Sequence, residues 1–153
     1  MHLSKFSDYA LRTLLFAASR PGEFVTIRQT AQIYGISQAH LKKVVLLLAG
    51  KGYLHAARGR GGGFMLAMPP EDINLGALVR LTEPDFAMVE CFRPAGSCVI
   101  SAHCRLPGVF DRALAAFLAE LDRHTLNDMR MLPAHFAAPP AGAAKRGRAS
   151  PAD

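Results

Sequence analysis

Three cysteines lie close together in a chain of 153 residues that contains no others. Cys91, Cys98 and Cys104 are separated by six and five residues, and loop-forming residues at 93–97 and 106–108 flank them. Thiolates bind soft metal centres, so three of them on one loop predict an iron–sulfur cluster, zinc or copper(I). Zinc knuckles usually use cysteine pairs about two to four residues apart. The wider gaps here favour a larger inorganic core.

A four-coordinate centre needs one more ligand than these thiolates supply. His103 is the nearest candidate in the sequence, and a zinc site with three cysteines and one histidine would use it. The fourth ligand can also come from a distant part of the chain or from a second subunit. An odd number of cysteines in a chain expected in a reducing compartment does not indicate a disulfide framework.

Charge is distributed unevenly along the chain. Residues 1–70 contain nine Lys/Arg and two Asp/Glu, whereas residues 71–132 contain six Lys/Arg and nine Asp/Glu. A basic first half indicates a module that binds a polyanion such as a nucleic acid. The N-terminal sequence lacks a signal-peptide pattern, and no apolar run is long enough to span a membrane. We therefore expect a cytoplasmic protein.

Apolar residues at intervals of three and four predict three helices in the first fifty residues. These helices cover about 4–19, 26–35 and 37–50. Thr26 and Gly35 are typical of the residues that begin and end a helix. The short connection between the second and third helices is typical of a helix-turn-helix.

A predicted β-hairpin follows the third helix directly and forms a wing. Its strands cover 53–56 and 64–67, and its tip reads RGRGGG from Arg58 to Gly63. Glycines allow the backbone to approach a phosphodiester chain, and Arg58 and Arg60 can enter a minor groove. The tip lacks the spacing of a nucleotide-binding P-loop, which excludes that alternative.

Side chains on the start of the third helix are predicted to read DNA. A recognition helix presents its first turns to the major groove, and the start of the preceding helix can bind phosphate. The apolar residues of the third helix belong to the core. The predicted DNA-binding residues are Thr26, Arg28, Gln29, Ser37, Gln38, His40, Lys42, Lys43, Arg58 and Arg60.

The second half of the chain combines helices with the cysteine loop. A short helix is predicted from Asn74 to about Thr82, and a long one from about Pro107 to Met131. About 25 residues give a helix of about 37 Å, which is longer than a domain of this size needs. Its length indicates pairing with the same helix of a second subunit. Residues 133–153 are rich in Ala and Pro and predict a disordered basic tail.

The predicted fold is therefore mainly α with a small β wing. A winged helix-turn-helix domain covers 1–70, and a linker helix with the cysteine loop covers 71–105. A dimerisation helix covers 106–132, followed by the tail at 133–153.

The order of these elements resembles the Rrf-two family of bacterial winged-helix iron–sulfur transcription regulators. The motifs RGRGGGFML and CRLPGVFDRALAAFLAELDRHTLNDM carry the resemblance, which covers residues 1 to about 132. The second motif and the ECF at the start of the cysteine loop are most similar to the nitric-oxide-sensing repressors of the family. The regulators of iron–sulfur biogenesis have a shorter first gap and a histidine where this chain has Pro107, which cannot ligate.

The resemblance implies a homodimer that binds operator DNA and carries one 4Fe–4S or 2Fe–2S cluster per subunit. Its thiolate ligands would be Cys91, Cys98 and Cys104. The resemblance also implies that Asp8, in the motif FSDYALR, supplies the fourth ligand across the dimer. A first-turn acid can instead favour the helix dipole and pair with Arg12 at i+4. Nitric oxide would release the repressor from DNA by nitrosylating or removing the cluster.

Other functions fit parts of the pattern. A sensor of iron or cluster status would belong to the same family. A zinc-stabilised DNA-binding protein would be colourless, whereas a cluster protein would be brown. A metal–thiolate redox enzyme is disfavoured because the chain has no cofactor fingerprint and no nucleophile–base arrangement. We therefore expect no enzymatic activity.

Overall fold

The computed structural model describes residues 2–89, 92, 98–100 and 103–136. Its fold is mainly helical with a two-stranded wing, which confirms the predicted class. Short 3₁₀ turns follow the wing at Pro70–Asp72 and the last helix at Leu126–Met129 and Pro133–Phe136. The helices and strands are α1 (Lys5–Ala18), α2 (Ile27–Tyr34), α3 (Gln38–Gly50), β1 (Leu54–Ala57), β2 (Gly63–Leu66), α4 (Leu75–Thr82) and α5 (Leu106–Asp122).

Side-chain caps explain where α1 and α2 begin. The Ser4 hydroxyl accepts the Ser7 N–H at the start of α1 (3.2 Å). At the start of α2, Thr26 and Gln29 form a capping box in which each side chain accepts a backbone N–H of the other residue. Gly35 ends α2 with φ +64°, a conformation that favours glycine. The predicted helix-turn-helix boundaries are thus confirmed.

The wing joins the helical core through one face of its hairpin. Leu54 of β1 and Phe64 of β2 are buried, and β1 pairs antiparallel with β2. Two backbone hydrogen bonds between Val25 and Phe64 (2.8 and 2.9 Å) tie the residues before α2 to β2. A Cβ at Gly63 would collide with the Val25 carbonyl oxygen. The observed strands lie within one residue of the predicted ones.

An apolar core holds α1, α3, the wing and α4 together. Burial of aliphatic and aromatic side chains in this core is the main stabilising contribution to such a fold. We call residues 5–66, which contain α1, α2, α3 and the wing, the reading head. The core includes Leu14, Phe16, Val44, Leu48, Phe64, Ile73, Leu78 and Leu126.

The last helix is shorter than predicted. It ends at Asp122 rather than near Met131, so it has 17 residues and a length of about 26 Å. The Asn74 side chain donates to the Asp122 carbonyl oxygen (2.7 Å), and the Leu75 N–H donates to that of His124 (3.0 Å). These bonds from the start of α4 take up carbonyls at the C-terminal end of α5.

Residues 133–136 correct the predicted extent of the tail. They form a 3₁₀ turn, and Phe136 is buried against the reading head. The rest of the predicted tail, 137–153, lies outside the described residues. No helix within the described part of the chain is long and apolar enough to cross a membrane.

Candidate nucleic-acid interface and metal centre

The two faces of α3 are chemically different. Leu41, Val44, Val45 and Leu48 are buried in the core, as predicted. The predicted contact residues Gln38, His40, Lys42 and Lys43, together with the N-cap Ser37, are all exposed. A helix with one buried face and one exposed cationic face can enter a major groove without disturbing the core.

Ser37 organises the first turn of α3. Its hydroxyl accepts the His40 N–H (3.3 Å) and lies 3.0 Å from Nδ1 of the His40 ring. The His40 ring also lies near Tyr9 of α1, with 6.3 Å between the ring centroids. Ser37 and Tyr9 therefore position His40, whereas Lys42 and Lys43 have no ion pair with a described residue.

The start of α2 presents one cation beside an occupied cap. Arg28 is exposed. The Oε1 atom of Gln29 accepts both the Thr26 N–H (2.8 Å) and the Thr26 hydroxyl (2.9 Å). The capping box thus engages Thr26 and part of the Gln29 amide. The Arg28 guanidinium, in contrast, has no partner among the described residues.

The wing tip alternates arginine with glycine. Arg58 and Arg60 are exposed, and Gly59 and Gly61 have φ values of +96° and +82°. A Cβ at Gly62 would lie 2.5 Å from the Ala57 carbonyl oxygen, so this turn has no room for a side chain there. The tight glycine turn presents two guanidinium groups at the end of the hairpin.

Asp8 is paired within its own helix. Its Oδ1 atom lies 2.8 Å from Nε of Arg12, and each of the two side chains is 42% exposed. The Arg12 guanidinium also stacks over the Tyr34 ring, 5.6 Å from the centroid. The Tyr34 hydroxyl donates to the Arg12 carbonyl oxygen (3.0 Å). Burial raises the pKa of Tyr34 to about 12, so this hydroxyl keeps its proton at neutral pH.

Sequence reasoning identified Asp8 and Arg12 but not the residues around them. Tyr9 contacts the recognition helix, and Tyr34 contacts Arg12. The spacing of Asp8 and Arg12 predicts their pairing, because residues four apart meet on a helix. No local pattern predicts the contact between Arg12 and Tyr34, which are 22 residues apart.

Two of the three cysteines can be placed. Cys98 and Cys104 are half-buried, and Cys91 lies outside the described residues. The N–H groups of His103 and Cys104 both donate to the Ile100 carbonyl oxygen (3.0 Å each), which forms a turn directly before α5. The thiols of Cys98 and Cys104 are soft ligands that fit a thiolate-bound metal group.

A complete metal site is not formed within one subunit by the described residues. No group of three His, Cys, Asp or Glu side chains among them is arranged to hold a metal ion. One subunit therefore does not bring Asp8 together with Cys98 and Cys104. His103 is exposed.

The reading head, with its recognition helix and arginine-tipped wing, defines a winged helix-turn-helix DNA-binding protein. Residues 3–131 match the Rrf2 family, described as iron-dependent transcriptional regulators. The chain belongs to the Rrf2 family. It is a DNA-binding transcription regulator and not an enzyme, and the predicted family is confirmed.

Relatives of known name and structure agree with this assignment. The HTH-type transcriptional regulator NsrR of Bacillus subtilis is 52% identical over 131 residues, which cover 84% of this chain and 90% of that protein. NsrR of Bacillus licheniformis is 43% identical over 89% of this chain and 96% of that protein. The crystal structure of a putative transcriptional regulator from Listeria innocua has a TM-score of 0.70 at 26% identity, covering 84% of this chain and 85% of that one. Oxidized Staphylococcus aureus CymR has a TM-score of 0.67 at 25% identity, covering 84% and 95%.

Proposed function

We propose that this chain is a nitric-oxide-responsive repressor that binds operator DNA as a homodimer and leaves it when its iron–sulfur cluster is nitrosylated or lost. The observation that carries the proposal is the combination of two features in one chain. The turn that contains Cys104 lies directly before α5, and α3 is an exposed, cationic recognition helix. The similarity to regulators named NsrR supports the choice of signal.

Each reading head would dock one operator half-site. The start of α3 would enter the major groove, where Gln38 can pair with an adenine edge. Lys42 and Lys43 would contact phosphate or guanine, and Arg28 would contact a phosphate at the start of α2. Arg58 and Arg60 would follow the adjacent minor groove. Two heads related by a twofold axis require half-sites about one helical turn apart.

The apolar surface of α5 supports the dimer. None of its 17 residues is fully buried within one subunit. Leu106 and Val109 are 56% and 50% exposed. The other large apolar residues of the helix are only half-buried: Phe110, Leu114, Phe117, Leu118 and Leu121. Large exposed apolar patches mark sites at which proteins bind partners. We propose the α5 helix of a second copy as that partner.

We propose that Cys91, Cys98 and Cys104 hold the cluster, and that Asp8 of the second subunit completes the site. When bound, the cluster supplies iron with which nitric oxide reacts. The carboxylate of Asp8 pairs with Arg12, so binding a metal would require it to exchange or share that partner. His103 would remain a solvated neighbour. The ligand set suits either a 4Fe–4S or a 2Fe–2S cluster.

A short path links the proposed ligand to the recognition helix. Asp8 adjoins Tyr9, which contacts His40, and it pairs with Arg12, which contacts Tyr34 at the end of α2. A change at Asp8 would therefore act on both helices of the helix-turn-helix. A coupling free energy of about 1–3 kcal/mol would be sufficient to change DNA affinity about 5–150-fold.

Anaerobic titration of the cluster-loaded protein with nitric oxide, with operator binding followed in parallel, tests the proposal. We expect binding to fall in step with the loss of the visible cluster absorption. Binding that persists after complete reaction would contradict it. Release by an iron chelator alone, without an effect of nitric oxide, would instead support a sensor of iron status, which the family description also favours.

A further inference from the structure

Two contacts orient the ring of His40 in the first turn of α3. The Ser37 hydroxyl lies 3.0 Å from Nδ1 of the ring. The ring also packs near that of Tyr9 in α1, with 6.3 Å between the centroids and 39° between the planes. His40 is nevertheless exposed. Because Nδ1 faces Ser37 within the turn, Nε2 points away from it and is the ring nitrogen that a ligand can reach.

The hydrogen bonds of Ser37 determine which nitrogen of the neutral ring carries the proton. The Ser37 oxygen already accepts the His40 backbone N–H (3.3 Å), and its own proton is left to be donated. Nδ1 can accept that proton only in the tautomer whose ring proton is on Nε2. A proton on Nδ1 would instead make the Ser37 oxygen accept twice and would leave the hydroxyl proton without a partner in this turn.

A neutral ring with its proton on Nε2 differs in chemistry from the cations beside it. Lys42 and Lys43 are exposed on the same helix and can neutralise phosphates of any sequence. An uncharged N–H group donates one hydrogen bond in one direction. The first turns of a recognition helix meet the edges of the bases. A fixed, neutral donor in this position is therefore suited to reading a base.

We propose that His40, with its proton held on Nε2 by Ser37, reads a guanine in the major groove of the operator half-site. Guanine presents two acceptors there, N7 and O6. Cytosine presents a donor, adenine places a donor beside its N7, and thymine places a methyl group beside its O4. The inference rests on the proposed function, since it requires α3 to lie in the major groove. His40 is the contact, and Ser37 is a positioning residue.

Nitrogen-15 NMR of the imidazole rings in the full-length protein tests the tautomer without DNA. The His40 signals are assigned by comparison with His40→Gln and measured at a pH at which the ring is neutral. We expect the proton on Nε2 in the wild type and in Ser37→Thr, which keeps a hydroxyl. In Ser37→Asp the carboxylate accepts but cannot donate, so the proton should move to Nδ1. Threonine and aspartate both cap helices, and thermal unfolding checks that each variant keeps its fold.

Selection of bound duplexes from a library randomised across one half-site tests the base that is read. For the wild type and Ser37→Thr we expect guanine at one position, and this preference should be lost in His40→Ala and in Ser37→Asp. The other preferred positions should stay as they are in the wild type. Placing 7-deazaguanine, which lacks N7, at that position should weaken wild-type binding about two- to tenfold, as expected for one hydrogen bond. The affinity of His40→Ala should not respond to this change of base.

Three results would overturn the inference. The ring proton can lie on Nδ1 in the wild type, or His40→Ala can keep the guanine preference. Alternatively, His40→Ala can bind more weakly with every base preference intact, which would assign His40 to a phosphate. Each outcome is distinct from failure of the proposed function, in which the wild type itself would not bind an operator or would not respond to nitric oxide.

Discussion

The carboxylate of Asp8 lies 2.8 Å from Nε of Arg12, one helical turn further along α1. The pair adjoins the helix-turn-helix, because Arg12 also stacks on Tyr34 of α2. Asp8 therefore has two possible partners, Arg12 of its own chain and the proposed cluster of the other subunit.

Asp8→Ala should leave the cluster only partly retained and more easily lost. Three thiolates would still hold it, but one iron would have an open position. We expect faster bleaching in air and weaker coupling between cluster and DNA binding, measured by visible absorption and operator affinity. His103→Ala is the control and should behave as the wild type. A bleached His103→Ala protein beside an unchanged Asp8→Ala protein would overturn the assignment.

Replacing any one cysteine should abolish or greatly weaken cluster retention. Cys91→Ala, Cys98→Ala and Cys104→Ala each remove one of three thiolates, and the proposed site has no spare. Iron content and visible absorption after anaerobic purification measure the loss. The variants should still sediment as dimers, because the apolar face of α5 supplies the proposed pairing surface. A monomer after cluster loss would show that the metal holds the subunits together.

Removing the two wing arginines should weaken DNA binding and reduce its dependence on salt. Arg58→Ala/Arg60→Ala is expected to lower the salt slope by about one to two phosphate contacts. The exposed tip keeps its glycine turn, so the fold should be unaffected. DNA affinity measured at two salt concentrations tests this prediction. If the variant binds with wild-type affinity at both, the wing is not part of the contact surface.

The reading head could be predicted from sequence because local signals determine its elements. Neighbouring residues specify both ends of α2. Thr26 and Gln29 cap its start, and Gly35 ends it. Helical periodicity likewise separates buried Leu41 from exposed Lys42. The predicted DNA contacts on α2 and α3 are exposed for the same reason, with Thr26 half-buried as the exception.

The end of α5 could not be predicted because distant residues determine it. Apolar residues such as Met129 continue the helical pattern beyond Asp122 in the sequence. The helix nevertheless stops where Asn74, 48 residues earlier, donates to the Asp122 carbonyl oxygen. The Thr125 N–H then donates to the Asp128 carboxylate (2.7 Å), and Leu126 enters the core. The burial of Phe136 depends in the same way on Phe16 and Tyr34, far away in the sequence.

The contact between α4 and α5 should make stability depend on pH. Arg80 binds both carboxylate oxygens of Asp122, and this pairing holds the pKa of Asp122 below its ordinary value. A lowered folded-state pKa stabilises the fold above the unfolded pKa of about 4, and the contribution is lost as pH falls through the folded value. Asp122→Asn should thus be less stable than the wild type at neutral pH.

The difference between Asp122→Asn and the wild type should shrink as the pH falls towards the lowered folded pKa of Asp122. Thermal unfolding from neutral pH to about pH 3 measures it, and high salt should reduce it because both side chains are exposed. Glu120→Gln, whose pairing with Arg123 is longer at 3.4 Å and more exposed, is the control. A gap that persists unchanged at low pH would mean that the Asp122 charge is not its source.

Removing the aromatic anchor should destabilise the reading head although Phe136 lies outside the family match. Its side chain fills space between Phe16 and Tyr34, so Phe136→Ala would leave a cavity at the junction of α1 and α2. We expect the free energy of unfolding to fall by about 3 kcal/mol, as measured by denaturant titration. Leu132→Ala, at a side chain that is 65% exposed, is the matched control and should change it by no more than about 0.5 kcal/mol. Equal, small effects of the two substitutions would mean that the C-terminal turn does not pack on the helix-turn-helix in solution.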